Sequence, residues 1–434
     1  MKRFIFLLPL LLLTSVVYSQ VVFENSAYPV FVETPVASTG LNNIYVIYNV
    51  DGVTLSYTSV NENNTVKWYK YGSQGGGYAE EITGVQHDGA VTKLSNIIKN
   101  SGYIIEDGNQ RKYFWVVNYA DYFLDLGAIR FDAEQDCNVT LLNVEGYGPD
   151  IIYYTINGQQ KVLSRELTLT YNTLEWDSEG VSYKNIELQE RYDSFKSSLA
   201  TTAPFVNTMF TLSGDKFLKY WNKQESITSD EYFTNAVSVN ATAVQSPRDA
   251  NNEVKGDVGG LGGSAPADIE FTSYFTDAVI HKEWQFSNDS EFKNILYRYN
   301  EETLNYSFQE AGTFYVRFVG SNSSGSCEAT SETFTVSIGD SSIECPNAFS
   351  PQSSEGTNDE WKISYKSIVS FKCWIFNRWG IQVCNFDNPS IGWDGKYNGK
   401  YVDAGVYFYV IEAKGADGKN YKLKGDINII NLKK

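Results

Sequence analysis

The 434-residue sequence carries 35 Lys and Arg against 52 Asp and Glu, for a net charge of −17. This acidity argues against nucleic acid as a partner, because phosphates require a basic face, and against attachment to an anionic membrane by charge alone. Only two His and two Met are present, so the commonest general base and a soft metal ligand are scarce. Abundant Tyr, Phe and Trp favour β-strands.

The N-terminus has the pattern of a secretory signal peptide. Two basic residues precede an apolar run from Phe4 to Leu13, and Ser19 provides a small residue before a cut. The run is too short to cross a bilayer, which takes ~20 residues, and no later segment is long and apolar enough. We therefore expect residues 1–19 to be removed and the mature chain, which has no membrane span, to leave the cytoplasm whole.

Residues 20–122 are predicted to form an immunoglobulin-like β-sandwich. Strand-forming runs at 44–48, 65–71 and 112–119 are separated by turn signals, among them Gly75-Gly76-Gly77. Trp68 lies in the middle of one run, where such domains often bury a Trp. The cysteine pair of antibody domains is absent, so the likeness concerns architecture alone.

A second immunoglobulin-like β domain is predicted over residues 123–245. A strand run at 151–156 followed by Asn157-Gly158 is a strong hairpin signal, and 166–176 continues the strand pattern. Residues 192–199 and 216–221 are predicted as short helical turns.

Residues 246–266 are predicted to be a flexible linker, because Gly and Ser dominate the segment. Its glycines are not followed by the Lys-Ser/Thr of a phosphate-binding loop, so we expect no nucleotide there.

Residues 267–342 are predicted as a third sandwich. The strand around Trp284, the pair Tyr306-Ser307-Phe308 and Gly312-Thr313-Phe314-Tyr315-Val316, and the turn Asn322 to Gly325 resemble PKD-like modules. The Asp-Phe-Gly-Asp-Gly that usually follows the Trp in that family is missing. Such modules are mostly spacers or adhesive units, so the resemblance implies no site.

Five cysteines leave at least one thiol free or intermolecular. Cys137 is predicted to be a lone core cysteine. Cys373 and Cys384 flank a predicted hairpin, and their pairing depends on its register. A two-residue turn would place them opposite each other, whereas a type I turn with a Gly bulge at Gly380, which the sequence favours, would put the sulfurs on opposite faces.

Residues 343–434 contain four ordered motifs, which are Pro346 to Pro351, Ile375 to Gly380, Trp393 to Lys400 and Gly405 to Ile411. Physically they predict a seven-stranded sandwich with tight turns at 377–380, 398–399 and 417–418. We expect Val406 to Ile411 to be its central strand, apolar on both faces. Trp379 and Trp393 are expected to cover one end of the core.

The same motifs closely resemble the gliding-motility-associated C-terminal domain, the type B sorting domain of the type IX secretion system of Bacteroidetes. The resemblance implies export across the inner membrane, transit of the periplasm, and recognition by the type IX outer-membrane translocon and a type B partner protein. The protein would end on the outer face of the outer membrane or in the medium. The residues that match the sorting motif are Pro346, Asn347, Phe349, Ser350, Pro351, Asn377, Arg378, Trp379, Gly380, Trp393, Asp394, Gly395, Asn398, Gly399, Gly405 and Tyr407.

Two features of this domain each have two possible interpretations. The family often has an acidic Asn-Gly-Asp-Gly loop after Ser-Pro, and residues 352–359 depart from it. Either Glu355, Asn358 and Asp359 bind a cation or Asn358-Asp359 is a turn before the next strand. Arg378 either stacks on Trp379 or contacts the translocon.

No catalytic constellation is found, so the chain is predicted to be a non-enzyme without metal or cofactor. His87 lies in a predicted turn, His281 begins a predicted strand, and no zinc-protease or nucleophile-elbow motif occurs. The leading hypothesis is a tandem-sandwich surface protein for adhesion or surface assembly, with its ligand unknown.

Two alternatives remain to this leading hypothesis. One is carbohydrate binding through exposed aromatics such as Trp68, Tyr69, Tyr71 and Tyr78, which are otherwise core and cross-strand residues. The other is an unrecognised hydrolase, because a glycosidase needs only two carboxylates.

Overall fold

Strands are the main secondary structure of the described chain, as the aromatic and β-branched composition predicts. The computed structural model describes residues 21–132, 136–248, 250–255, 260–351 and 358–430. The predicted signal peptide and Glu355 lie outside the described residues. The all-β prediction with tandem sandwiches is confirmed, and the described chain forms four consecutive β units.

The first unit packs a four-stranded sheet, β1-β4-β8-β7, against a six-stranded sheet, β2-β3-β10-β9-β5-β6. The predicted strands at 44–48, 65–71 and 112–119 correspond to β3, β5 and β10. Trp68 is buried between the two sheets, and its indole N–H donates to the Thr92 hydroxyl at 3.0 Å. The strands are β1 Val21–Glu24, β2 Phe31–Glu33, β3 Asn43–Ile47, β4 Thr54–Thr58, β5 Val66–Tyr71, β6 Glu80–Glu81, β7 Gln86–Asp88, β8 Val91–Leu94, β9 Ser101–Asp107 and β10 Gln110–Asn118, with 3-10 turns at Ala37–Thr39, Gly76–Tyr78 and Tyr119–Tyr122.

The second unit contains the sheets β11-β12-β17 and β16-β15-β18-β19 and the hairpin β13-β14. The hairpin turns at Asn157-Gly158, as predicted. The helical turn predicted at 216–221 is α1, but the one predicted at 192–199 is wrong, because β16 ends and β17 begins within it. The elements are β11 Asp125–Phe131, β12 Val139–Tyr147, β13 Ile151–Tyr154, β14 Gln160–Leu163, β15 Leu167–Asp177, β16 Ser182–Tyr192, β17 Ser198–Thr202, β18 Thr211–Gly214, α1 Lys216–Tyr220 and β19 Glu225–Thr228.

The six-stranded sheet of the first unit is buried on both faces. Its second face, with Ile44 and Trp115, joins one continuous apolar cluster with Leu169 and Phe217 of the second unit. The Tyr119 ring bridges the two units, with its centroid 5.9 Å from that of Phe217. Because a sheet face of this kind loses its burial when either unit unfolds, the first two units depend on each other for stability.

Two backbone turns meet closely between these units. The Gly76 N–H donates to the Ile156 carbonyl at 2.7 Å. A Cβ at Gly75 would lie 2.5 Å from the Gly158 nitrogen, and Gly75 has φ +86°. The glycine run at 75–77 therefore permits a contact that no larger residue allows.

A buried ion pair also has partners in both units. The guanidinium of Arg165 donates to the Asp215 carboxylate at 2.5 Å, and both side chains are almost fully buried. Arg165 also donates to the backbone carbonyls of Tyr122 and Pro149, while the Tyr119 hydroxyl donates to Asp215 at 2.9 Å. The pair is thus satisfied by groups from both units, as a buried charge requires.

The third unit packs the sheet β20-β22-β25 against β21-β28-β26-β23-β24, with β27 paired to β26. Part of the predicted linker belongs to this sandwich, since β21 pairs in parallel with β28. β20 likewise pairs with β22, so this unit begins before residue 246. The strands are β20 Val239–Gln245, β21 Leu261–Gly263, β22 Ala267–Phe275, β23 His281–Ser287, β24 Ile295–Tyr299, β25 Thr303–Phe308, β26 Gly312–Ser321, β27 Glu328–Thr330 and β28 Phe334–Ile338.

A disulfide joins the second and third units. Cys137 bonds to Cys327 across a separation of 190 residues. The prediction that Cys137 is a lone core cysteine is therefore wrong, because its partner lies in a turn of the next sandwich that local sequence cannot reveal.

The fourth unit contains a five-stranded sheet, β30-β37-β36-β32-β33, and the two-stranded pairs β29-β31 and β34-β35. The hairpins predicted at 398–399 and 417–418 are confirmed. The described part of the unit has nine strands where seven were expected, and several are only two or three residues long. The strands are β29 Ser342–Glu344, β30 Ala348–Phe349, β31 Ser364–Lys366, β32 Ile368–Phe376, β33 Gln382–Phe386, β34 Lys396–Tyr397, β35 Lys400–Tyr401, β36 Gly405–Gly415 and β37 Asn420–Ile429.

Residues 250–255, between β20 and β21, form a strap across the fourth unit. The Val254 N–H donates to the Tyr365 carbonyl at 2.8 Å. The Asn252 amide donates to the carbonyls of Ile363 and Pro389 at 2.8 and 2.9 Å. This part of the predicted flexible linker is therefore held in place by backbone pairing.

The chain junction between the third and fourth units is also held in place. Ser341 is buried, and its hydroxyl donates to the Asp417 carboxylate at 2.7 Å. The Tyr421 hydroxyl donates to the Ser341 carbonyl at 2.8 Å. The fourth unit is thus attached to the third at its junction as well as by the strap.

Candidate functional site

The predicted motif residues of the C-terminal domain divide into a buried group and an exposed group. The rings of Phe349, Trp393 and Tyr407 are buried and in contact, with centroids 5.5 Å apart for Phe349 and Trp393 and 5.2 Å for Trp393 and Tyr407. Aromatic contacts of this type add roughly 0.5–1.5 kcal/mol beyond area burial. These residues therefore build the core of the domain.

The Pro346 to Pro351 motif fastens the start of the domain to its last strand. The Asn347 carbonyl accepts the backbone N–H of Asn428 at 2.9 Å, and the Ser350 hydroxyl donates to the Ile430 carbonyl at 2.5 Å. The Pro346 carbonyl accepts the indole N–H of Trp361 at 2.7 Å. The motif is explained by these backbone contacts.

Asp394 and Gly395 form the bend before β34. The Asp394 carboxylate accepts from the Lys396 backbone and ammonium at 3.0 and 2.8 Å. Partial burial raises the pKa of Asp394, but the Lys396 hydrogen bonds outweigh this effect and hold the pKa below its ordinary value. A Cβ on Gly395, whose φ is +75°, would lie 2.9 Å from the Pro351 ring.

Positive φ angles explain the remaining glycine positions of the motif. Asn398 and Gly399 have φ of 50° and 77°, the pairing that a two-residue type I′ hairpin requires. Gly405 begins β36 with φ 146°. These residues shape the backbone.

The hairpin tip between β32 and β33 is exposed. The Asn377 side chain accepts the backbone N–H groups of Trp379 and Ile381 at 3.0 Å, and Gly380 has φ +77°. The Arg378 guanidinium lies 4.8 Å from the Trp379 ring centroid, so Arg378 stacks on Trp379, which is one of its two predicted roles. Trp379 is 73% exposed, so the expectation that it covers the core is wrong.

The tip continues into an apolar stripe on the outward face of the five-stranded sheet. Strand β36 alternates, so that Tyr407, Tyr409 and Ile411 point into the core and their neighbours point outward. In the register of the sheet Phe408 pairs with Phe376 and Val410 with Trp374. We call the following five residues the apolar stripe: Trp374, Phe376, Val406, Phe408 and Val410.

Lysines flank the apolar stripe. Lys372, Lys414, Lys422 and Lys424 are exposed on the same face of β32, β36 and β37. Residues 343–434 carry 12 Lys and Arg against 10 Asp and Glu, whereas the whole chain is strongly acidic. Glu412 and Asp426 are exposed on this face as well. The face is therefore apolar at its centre, and four lysines outnumber two carboxylates at its edge.

Sequence reasoning missed the apolar stripe. The sequence predicts Val406 to Ile411 as the central strand of the sheet, apolar on both faces. Its central place in the sheet is confirmed by its pairing with β32 and β37. What the pattern did not reveal is that nothing in the described chain covers the outer face.

Three thiols remain free in this domain, and they are Cys345, Cys373 and Cys384. Cys384 pairs with Ile375 in the sheet, so it shares a face with Cys373 at a diagonal. The expectation that the two sulfurs lie on opposite faces is wrong, because the register shifts at Val383, between the pairs Phe376–Gln382 and Ile375–Cys384. Burial raises the pKa of all three thiols, which keeps them protonated and poorly nucleophilic.

The cation-binding and catalytic candidates are scattered. Glu355 lies outside the described residues, and Asn358 adopts φ 62° while its carbonyl accepts the Ser350 N–H at 2.9 Å. His87 lies in β7 and not in a turn, and His281 begins β23 as predicted. Among the described residues, no three His, Cys, Asp or Glu side chains are grouped to hold a metal ion.

The aromatic residues proposed for sugar stacking in the first unit do not share an exposed face. Trp68 and Tyr71 are buried, Tyr69 is half-buried, and Tyr78 is 72% exposed. Trp68, Tyr69 and Tyr71 therefore serve mainly in packing, as the core alternative predicted, whereas Tyr78 is exposed.

A family model described as the CHU_C type IX secretion signal domain matches residues 343–429. These residues are a type IX secretion signal domain. A fibronectin type III domain model matches residues 130–229 within the second unit. The secretion signal domain implies that the protein is exported to the cell surface or secreted. No helix in the described part of the chain is long and apolar enough to cross a membrane.

Similar solved structures are distant. The three N-terminal domains of the bacteriophage RB49 highly immunogenic outer capsid protein align with 10% identity and a TM-score of 0.24, covering 72% of this chain and 100% of that one. Dimeric latent PorU from Porphyromonas gingivalis aligns with 11% identity and a TM-score of 0.16, covering 75% of this chain and 36% of that one. No curated protein matches the chain.

Proposed function

We propose that this is a non-catalytic surface protein whose secretion signal domain docks on the type IX machinery through the apolar stripe. The observation that carries the proposal is a secretion signal domain with an uncovered apolar sheet face beside an exposed Trp. Contiguous exposed apolar surface rimmed by polar residues marks interaction sites in soluble proteins. The occupant we infer is an outer-membrane protein of this machinery, the type B partner.

The charges at the edge of the stripe support the same occupant. The exposed lysines on this face favour a partner with an acidic rim, since complementary charges raise association rates and suppress wrong partners. The other three units belong to a strongly acidic chain and would not compete for such a rim. Arg378 and Trp379 at the hairpin tip extend this surface.

The remaining units support a role in adhesion or surface assembly. The first two share a core, a disulfide ties the second to the third, and a strap ties the third to the secretion signal domain. Such a chain presents its outer loops at a fixed distance from the signal domain. Neither matching family is catalytic, which supports the non-enzyme proposal.

Localisation in the native host tests the docking proposal. Phe408→Asp places a charge at the centre of the stripe, where the side chain is 45% exposed, so folding is expected to survive. We expect surface-exposed protein to fall by about tenfold or more, the equivalent of ~1.4 kcal/mol in partner binding, with accumulation in the periplasm. Removal of residues 343–434 is expected to abolish surface exposure.

Val244→Asp is the matched control, because Val244 is an exposed apolar residue on a strand of the third unit. It should reach the surface normally. Normal surface exposure of Phe408→Asp would rule out the stripe as the docking face. Normal surface exposure of the chain without residues 343–434 would show that the signal domain is not required for export.

A further inference from the structure

The third unit contains an aromatic cleft at one edge of its sandwich. The edge strands β24 and β25, the loop after β25 and the start of β26 enclose about 600 Å³. This volume lies within the range of small-molecule sites, about 300–1,000 Å³. Its lining combines aromatic rings with uncharged polar side chains and one carboxylate, that of Glu310.

Tyr306 forms a fixed platform in the cleft. Its ring packs on Phe286 and Phe308, with centroid distances of 4.8 and 4.7 Å. Tyr297, which is 48% exposed, stands 6.4 Å from Tyr306 at an interplanar angle of 39°. Packing against buried rings holds Tyr306 rigid, so a ligand would find one ring already oriented.

Core packing does not account for the polar groups of the cleft. Among the described residues, the hydroxyls of Tyr297 and Tyr306 and the side chains of Gln309 and Glu310, all of which line the cleft, have no hydrogen-bond partner in the protein. Burial is the main cause that raises the pKa of Tyr306 to about 12, and the nearby Tyr299, Tyr297 and Glu310 raise it further by electrostatic repulsion. The Tyr306 hydroxyl therefore stays protonated and can both donate and accept.

The signal domain supports one wall of the cleft. The Ala311 N–H donates to the Ala416 carbonyl at 3.0 Å, which fixes the loop that carries Gln309 and Glu310. The cleft is therefore preformed in the assembled chain.

We propose that this cleft binds a neutral carbohydrate chain of pyranose units, an inference that rests on the proposed surface function. A pyranose offers a C–H face that packs on a phenol ring and hydroxyls that match the unpartnered groups around it. The lining has one carboxylate and no cationic side chain, which disfavours an anionic chain. A proline-rich peptide would also use aromatic rings, but it has few donors for the amide, carboxylate and hydroxyl oxygens here.

Isothermal titration of the mature chain, residues 20–434, with cellohexaose, mannohexaose and xylohexaose tests the inference. We expect at least one of these neutral hexamers to bind, and hexagalacturonate to bind at least about tenfold more weakly. Tyr297→Ala should weaken binding of that hexamer by about tenfold or more, because it removes the exposed ring. Tyr297→Phe keeps the aromatic ring, so it should weaken binding of the hexamer less than Tyr297→Ala does.

Tyr147→Ala is the matched control, because Tyr147 is an exposed tyrosine of the second unit, and it should leave affinity unchanged. The inference fails if none of the three hexamers binds, if Tyr297→Ala binds like the native chain, if hexagalacturonate binds more tightly, or if a proline-rich decapeptide binds instead in a Tyr297-dependent way. Tyr297→Ala should still reach the cell surface normally, so failure here is distinguishable from failure of the export proposal.

Discussion

The buried pair of Arg165 and Asp215 is predicted to stabilise the first two units as one folding unit. Asp215→Ala leaves a guanidinium buried with two carbonyl partners. Loss of one partner of a buried pair costs about 3–5 kcal/mol. The Asp215 carboxylate also caps α1 by accepting the Leu218 N–H at 2.9 Å, a contact worth about 1 kcal/mol.

Differential scanning calorimetry of the mature, disulfide-intact chain measures this effect. For a unit of this size, each kcal/mol lowers the melting temperature by about 2–4 °C, so we expect Tm to fall by roughly 8–24 °C. Because the two units share a core, the whole transition should move as one. Asp215→Ala combined with Arg165→Met should recover part of the loss, since no charge is then stranded.

Arg130→Met provides the control, because its ion pair with Glu145 is exposed and worth ~0–1 kcal/mol. A fall of less than about 3 °C for Asp215→Ala would refute the reasoning about the buried charge. Separate transitions for the two units, with only one of them shifted, would refute the shared folding unit.

Three further outcomes are expected. Burial raises the pKa of Tyr119 and Tyr171, the latter to about 12, so stability should be retained below pH ~10, the unfolded pKa, and fall as pH rises above it; absorbance at 295 nm and near-UV circular dichroism should change together. If every tyrosine ionises near pH 10 with the fold intact, this is wrong. Cys137→Ser should lower the free energy of unfolding by about 2–4 kcal/mol in denaturant titrations, and an unchanged midpoint would contradict it. Trp393→Ala should cost about 3–5 kcal/mol, whereas Trp379→Ala should stay within ~0.5 kcal/mol; equal effects would contradict their assigned burial.

Local patterns predicted the strands well where a segment and its neighbour in the chain decide the structure. The hairpin at Asn157-Gly158 and the turn at Asn398-Gly399 follow from residues that tolerate positive φ. The burial of Trp68 follows from its place in an alternating strand. In the signal domain, the ordered motifs identified the domain even though most of their residues serve packing.

The sequence misled wherever the partner lies far along the chain. Leu261–Gly263 looks like linker because its composition is glycine-rich, yet β28, which pairs with it, begins at Phe334. Cys137 finds its partner 190 residues away. Alternation shows that Phe408 and Tyr407 point to opposite faces, but it does not show which face the rest of the domain covers.

The strap between β20 and β21 constrains the order in which the parts of the chain fold. Its Asn252 side chain bonds to carbonyls 111 and 137 residues later in the chain. A chain that emerges from its N-terminus folds its early units first, and contacts of this length form late. Residues 250–255 therefore form their hydrogen bonds only after the signal domain has been synthesised and folded. In a chain that lacks the signal domain, the backbone groups of this segment have no such partners and are exposed.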